Sequence, residues 1–275
     1  MQIIELKKIT SNNNPLIKRL KILQIKSSQR KKNKSFIAEG VKEIEKAIKN
    51  NYKIENIFIS ENSLLLVSNK KNILSKYLKN CFIVKSDLFN KICYRSNDNN
   101  IIAIIKAKEH KLDSLIISEK PLIVIIQSPE KPGNIGAIIR TLTAAKIDLL
   151  IIADPKTDIY NPNIIRSSLG YVFSLPIIID TSKNIINFLK SNKIKIIVAE
   201  INEKSIYHDE INYNLPLALV LGSEDLGIDN NWIKKSDYII KIPMKSNVDS
   251  LNLSVSAGIL IYHIIYQTKR IKLIK

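Results

Sequence analysis

Between Pro121 and Ile242 the chain carries six short, unbroken apolar runs, and these restrict its fold more than any other feature. They are Pro121–Ile126, Leu149–Ala153, Pro176–Ile179, Ile194–Ala199, Leu217–Leu221 and Tyr238–Ile242. An apolar run of this length without alternation suits a strand buried on both faces, as in a parallel sheet. Stretches with helical spacing lie between them, at Ile135–Ala145, Ile164–Leu169, Ile185–Ser191 and Leu253–Tyr266. The alternation predicts a doubly wound α/β domain over 109–275. Its ligands should sit in the loops that follow the strand C-termini.

Residues 1–108 read as a second, smaller α/β domain, joined through a polar linker near Lys106–Lys120. Leu16, Leu20 and Leu23 give residues 15–30 helical spacing with basic residues between. A short strand at Phe36-Ile37 precedes a helix through Val41, Ile44 and Ile48. Strands follow at Ile54–Ser60, Phe82–Val84 and Ile101–Ala107, with a helix at Leu74–Leu78.

The formal net charge is +18. Residues 1–110 hold 23 Lys/Arg against 9 Asp/Glu, and the remaining 165 residues hold 20 against 16. A genome-wide preference for Ile, Lys and Asn would spread lysine evenly; this distribution concentrates it at the front. The densest run spans Lys18 to Lys34, with Lys21 and Lys26 inside it, and its candidates are Lys18, Arg19, Arg30, Lys31, Lys32 and Lys34. Such a run marks these residues as candidate contacts to a polyanion, with salt-dependent binding.

Several classes are excluded. At 45% hydrophobic and 25% charged, the composition is that of a globular protein rather than a disordered chain. No apolar run approaches the roughly 18–20 residues that span a bilayer, and Met1–Pro15 lacks the apolar stretch of a secretory signal. Two cysteines and three scattered histidines make neither a disulfide framework nor a metal site. The expectation is a soluble cytoplasmic protein with no metal and no membrane partner.

The chain has only seven glycines, so each is expected to mark a place where a side chain would not fit. Gly133 and Gly136 follow the first run of the larger domain; Gly222 and Gly227 follow the fifth. Neither pair makes a nucleotide motif. Gly222-x4-Gly227 is followed by Ile228-Asp229 where a P-loop needs Lys and Ser/Thr. Gly133-x-x-Gly136 lacks the first glycine of a dinucleotide fingerprint. No Ser/His/Asp or Cys/His arrangement stands out.

Three segments carry a family resemblance. Pro132-Gly-Asn-Ile-Gly-Ala-Ile-Ile-Arg-Thr141, Leu219-Val-Leu-Gly-Ser-Glu-Asp-Leu-Gly-Ile228 and Ile242–Gly258 resemble, in order and spacing, motifs 1, 2 and 3 of the SpoU/TrmH RNA ribose 2′-O-methyltransferases. Phe36-Ile-Ala-Glu-Gly40 and the helix after it resemble that family's substrate-binding domain. Asn161–Pro176 is similar to its ribosomal-RNA branch. The resemblance implies an N-terminal substrate-binding domain and a C-terminal α/β-knot (SPOUT) domain with a parallel sheet and a trefoil knot. It further implies S-adenosyl-L-methionine as methyl donor, RNA as substrate, and a homodimer.

By the same resemblance Asn134, Arg140, Glu224, Ser250 and Asn252 form the catalytic set. Gly222, Ile242 and Leu251, with Ala199 and Met244, hold the donor largely through backbone groups. A guanidinium stays protonated, so Arg140 is expected to clamp a phosphate and stabilise the developing alkoxide. Ser250 doubles as a candidate N-cap of the final helix. Ser246 stands where many members have glycine. Ribosomal RNA is the expected substrate. Transfer RNA, a non-catalytic ribosome-assembly factor and a small-molecule enzyme are the competing readings.

Overall fold

The computed structural model describes residues 6–63, 73–94, 101–112, 117–223, 227–245 and 249–270. The chain divides into two compact units. The first holds the residues up to Glu109 together with Asp158–Ser174; the second holds His110–Thr157 and everything from Leu175 onward. A single boundary at 108/109 is what the sequence implies. The membership of 158–174 in the first unit is a difference with a tertiary cause.

The first unit contains β1 (Lys7–Ile9), α1 (Pro15–Ile25), α2 (Ser27–Asn33), β2 (Ser35–Glu39), α3 (Val41–Lys49), β3 (Ile54–Ser60), β4 (Cys81–Val84), α4 (Ser86–Ile92) and β5 (Ile101–Lys106). Its sheet runs β1-β4-β3-β5-β2, with β5 antiparallel to both neighbours. Asn14 starts α1, its side chain accepting the Leu16 N–H, with Pro15 at the first helical position. The single helix expected over 15–30 is two, because Lys26 adopts an extended conformation (φ −101°, ψ 109°). Ile17, Leu20 and Leu23 of α1 are fully buried and share a core with Ile37, Phe58 and Phe89. Residues Ile73–Asn80 form a 3-10 helix rather than an α-helix. Burial pushes the Cys81 thiol up to about 12, which makes it an inert core residue.

The second unit follows with β6 (Leu122–Gln127), α5 (Pro132–Ala144) and β7 (Leu149–Ala153). After α6 (Pro162–Ser167), which falls in the 158–174 segment, come β8 (Ile177–Asp180), α7 (Ser182–Ser191), β9 (Lys195–Ala199), β10 (Ile206–Tyr207), β11 (Leu217–Leu221), α8 (Asn230–Lys235), β12 (Tyr238–Lys241) and α9 (Leu253–Thr268). Every pairing in its seven-stranded sheet is parallel, in the order β10-β12-β9-β11-β6-β7-β8. One face packs Ile123, Ile125, Ala218 and Val220 against Ile185, Leu189 and Trp232. The alternate residues Leu122, Val124, Ile126 and Leu219 are equally buried. Burial on both faces is why these strands appear as continuous apolar runs. On the helical layer α5 packs against α9. Strand β11 fills the slot between β6 and β9, and β12 the slot between β9 and β10. The C-terminal ends of β9, β11 and β12 are therefore neighbours, with Ala199 in register with Leu221 and Ile240.

The 158–174 segment belongs to the first unit through an aromatic cluster and an ion pair. Tyr160 stacks on Phe36 with ring centroids 4.2 Å apart, Phe173 stacks 5.6 Å from Phe36, and Tyr52 meets Phe36 edge-on at 6.0 Å. Burial raises the phenols of Tyr52 and Tyr160 above the usual tyrosine range. Arg30 Nε donates to Asp158 Oδ2 at 2.5 Å, with side chains only 4% and 8% exposed. That corrects the expectation for Arg30, whose charge is sealed in the interior and is not offered to a phosphate. Arg19 is half-buried and paired with Glu55 at 2.5 Å, so it too is engaged internally. Lys18, Lys31, Lys32 and Lys34 are exposed. Among the described residues no helix is long and apolar enough to cross a membrane, and no group of three His, Cys, Asp or Glu side chains is placed to hold a metal.

Candidate active site

At the end of β11, Leu221 passes into Gly222 and a tight turn. Ser223 and Gly227 close it by reciprocal backbone hydrogen bonds, each 3.1 Å. Gly227 has φ +64°, a left-handed conformation that suits glycine. A Cβ at Gly222 would lie 2.4 Å from both the carbonyl carbon and the oxygen of Gly227. Gly222 is therefore required because the chain folds back over it.

Side chains from neighbouring strands pin this turn. Glu200, just after β9, accepts the Ile228 N–H at 3.1 Å, and its carboxylate lies against Gly227. Gln127, at the end of β6, accepts the Asp229 N–H at 2.9 Å. Asp229 in turn caps α8 through the Asn231 N–H.

The segments after β9, β11 and β12 and those leading into α9 enclose a cavity of about 680 Å³. Ala199, Gly222, Ile242, Met244, Ser250 and Leu251 all line it. These are the five residues expected to hold a donor, together with Ser250. Ordinary small-molecule sites occupy about 300–1,000 Å³. The wall mixes apolar residues with the acidic Glu200 and Asp249 and the basic Lys241 and Lys245. Sequence reasoning missed those four charged residues. The signal for Glu200 was its place, an acid directly after a buried strand end beside two glycine loops.

Of the remaining expected residues, Asn252 lies between Leu251 and Leu253, which both line the cavity. Asn252 is the N-cap of α9, its Oδ1 accepting the Ser254 N–H at 2.9 Å. The cap is thus Asn252 and not Ser250. The Asn252 amide also donates to Asn134 Oδ1 at 3.3 Å, which ties the first turn of α5 to the last loop. Arg140 is exposed two turns further along α5 and is not in the cavity wall. Glu224 and Ser246 lie outside the described residues.

An all-parallel α/β unit with a ligand cavity at adjoining strand C-termini, joined to a basic α/β unit, defines a two-part α/β enzyme architecture. The SpoU rRNA Methylase family matches residues 121–262 and the MRM3-like substrate binding domain matches residues 14–103; the chain belongs to the SpoU rRNA methylase family. It is 27% identical over 259 residues, 94% of this chain and 99% of its relative, to the 23S rRNA (guanosine(2553)-2′-O)-methyltransferase RlmP of Bacillus subtilis. It is 32% identical to an uncharacterized tRNA/rRNA methyltransferase of Borreliella burgdorferi, over 77% of this chain and 91% of that one. A crystal structure of an RNA 2′-O ribose methyltransferase superposes with a TM-score of 0.78 at 29% identity, covering 94% of this chain and 98% of that one.

Proposed function

We propose that the protein transfers the methyl group of S-adenosyl-L-methionine to a ribose 2′-hydroxyl of ribosomal RNA. The observation that carries this reading is the cavity formed by the loops after β11 and β12, in a chain of this family. Its wall suits the donor chemically. Ile242, Leu251 and Ala199 offer apolar contact to a purine and a methionine chain. Glu200 and Asp249 offer acceptors to ribose hydroxyls and an ammonium group. When bound, the donor supplies an electrophilic methyl group: a C–S bond breaks as an O–C bond forms. The chain's own task is to orient the hydroxyl and stabilise the charge that develops on its oxygen. The reading carries with it a cytoplasmic enzyme, a substrate domain over 1–108, a catalytic domain over 109–275 and a C-terminal trefoil knot.

Two measurements test it. Calorimetry should detect donor binding, which a non-catalytic assembly factor would lack. Mapping ribose methylation in total RNA, with and without the protein, should show one missing methyl group in ribosomal RNA. A site lost from transfer RNA instead would overturn the substrate assignment.

Gly222→Ala should impair the donor site. The new Cβ meets backbone at 2.4 Å, so the turn has to move. Overpacking of this kind costs about 1–3 kcal/mol. Donor affinity is expected to fall on the order of tenfold or more, and unchanged calorimetric affinity would show that the turn does not shape the site.

The exposed Lys31, Lys32 and Lys34 are the candidate phosphate contacts. Lys34 pairs with Glu109 at 3.4 Å, but both side chains are largely exposed, so the pair is weak. Replacing all three by Gln should weaken RNA binding. The slope of log affinity against log salt should fall by about one for each phosphate that is no longer neutralised. An unchanged slope would remove them from the interface.

A homodimer is part of the same reading. Val255, Ile259, Tyr262 and Tyr266 form one exposed stripe along α9, with Tyr266 84% exposed. Spacings of four, three and four residues place them on a single helical face, and a second copy would cover it. Light scattering should give twice the chain mass, falling to one chain in Val255→Lys/Tyr262→Lys.

A further inference from the structure

The first unit carries a cation–aromatic pair that the methyl-transfer site does not use. Tyr94 is 57% exposed, and the Arg166 guanidinium carbon lies 4.3 Å from the centre of its ring. Both partners are fixed from behind. Arg166 Nη2 donates to Asn163 Oδ1 at 2.7 Å, and the Tyr94 N–H donates to Glu39 Oε2 at 3.0 Å. Asn163 is itself set by the Asn161 cap of α6. A second pair lies nearby on α3, where Lys46 Nζ sits 3.6 Å from the Tyr171 ring centre and donates to the Leu169 carbonyl at 2.6 Å. A Cβ at Gly170 would lie 3.0 Å from Glu43 Cα, so the two pairs flank Glu43.

Glu39, Glu43 and Ile37 line a small cleft beneath the Tyr94–Arg166 pair. Burial raises the Glu43 carboxyl above its ordinary range. Two acidic side chains beside the guanidinium make this a poor place for a phosphate. They are suited to accepting hydrogen bonds from ring and exocyclic N–H groups of a base. An exposed phenol ring and a pre-oriented planar guanidinium are the surfaces on which unpaired bases stack.

We propose that Tyr94 and Arg166 form a stacking platform for an unpaired nucleobase of the RNA, on the substrate unit and separate from the donor cavity. The proposal rests on the reading of the protein as an RNA methyltransferase. It assigns a task to Asn161–Pro176, the segment whose similarity to the ribosomal-RNA branch had no chemical content. Phosphate contacts at Lys31, Lys32 and Lys34 supply affinity without regard to bases, and the platform supplies contact to a base face.

The test uses the full chain and two short single-stranded probes of equal length, oligoadenylate and an abasic ribose-phosphate oligomer. The wild-type protein should bind oligoadenylate more tightly. Tyr94→Ala should lower that affinity on the order of ten- to a hundredfold, leaving abasic binding and the salt slope unchanged. Tyr94→Phe should retain the preference. Arg166→Lys, which keeps the charge and loses the plane, should lose part of it. A 2-aminopurine base in the probe should be quenched by the wild-type protein and not by Tyr94→Ala. Donor binding should be the same in all variants and reports the second unit, while an unchanged thermal midpoint by far-ultraviolet circular dichroism reports the folding of the first. Equal loss for both probes, or no loss for oligoadenylate, overturns the platform while leaving RNA methylation standing. A wild-type protein that binds the donor but neither probe overturns the RNA reading and the platform with it.

Discussion

Arg140→Ala is expected to lower kcat for methyl transfer on the order of a hundred- to a thousandfold while leaving the affinity for S-adenosyl-L-methionine unchanged. The two halves of this result have separate causes. Arg140 is exposed on α5 and absent from the cavity wall, so truncating it removes no contact to the donor. Among the described residues it has no ion-pair partner, so the folded protein should keep its thermal midpoint. Its position follows Asn134 along the same helix, and Asn134 is bonded to Asn252 at the mouth of the last loop. A fixed positive charge there can hold an RNA phosphate and stabilise a 2′-oxygen as its proton leaves. Arg140→Lys should recover only part of the rate, because an ammonium cannot make the planar two-point contact. Activity within a few-fold of wild type in Arg140→Ala would remove it from the catalytic set. A matching loss of donor affinity would move it into the donor site.

What the sequence reveals of this molecule follows from where each residue's partners lie. The strands of the larger unit were legible because burial on both faces leaves no polar position, as in Leu217–Leu221. Strand β10 was not legible: Ile206 and Tyr207 are two exposed residues on a sheet edge, with no pattern to read. Helix α8 was hidden by its length, since Trp232 is its one fully buried residue. At the site, scarce glycines marked the turn after β11, but the side chains that pin that turn come from β6 and β9, far away in sequence. Least legible is the packing of residues 158–174, which lie inside the span matched by the methylase family yet pack with the first unit. Tyr160 and Phe173 take their meaning from Phe36, more than 120 residues earlier, and nothing local announces it. Arg30 failed for the same reason, being one basic residue in a basic run until Asp158 is placed against it.

Arg30→Ala should destabilise the first unit by about 3–5 kcal/mol, the ordinary consequence of stranding one member of a buried ion pair. The guanidinium makes more than the contact to Asp158. Its Nη1 donates to the Leu23 carbonyl at 2.8 Å, at the end of α1, so one side chain satisfies both a helix end and a carboxylate. Asp158 in turn accepts the Tyr160 N–H through Oδ1 at 3.0 Å, which sets the residue that stacks on Phe36. Truncation at Arg30 leaves a buried carboxylate without its counter-charge and a carbonyl without its donor, and it loosens the segment that carries Arg166. The effect should appear as a lower denaturant midpoint for the first unit, read by its own tyrosine signals because a two-unit chain need not unfold in one step. Asp158→Ala should cost a similar amount. The double variant Arg30→Met/Asp158→Leu should recover much of the stability, since an apolar pair of similar volume carries no charge to desolvate. A basic residue that contacts RNA behaves otherwise: its removal flattens the salt slope and spares stability. If Arg30→Met keeps the midpoint and flattens the slope, the pair is open to solvent and Arg30 returns to the RNA-binding face.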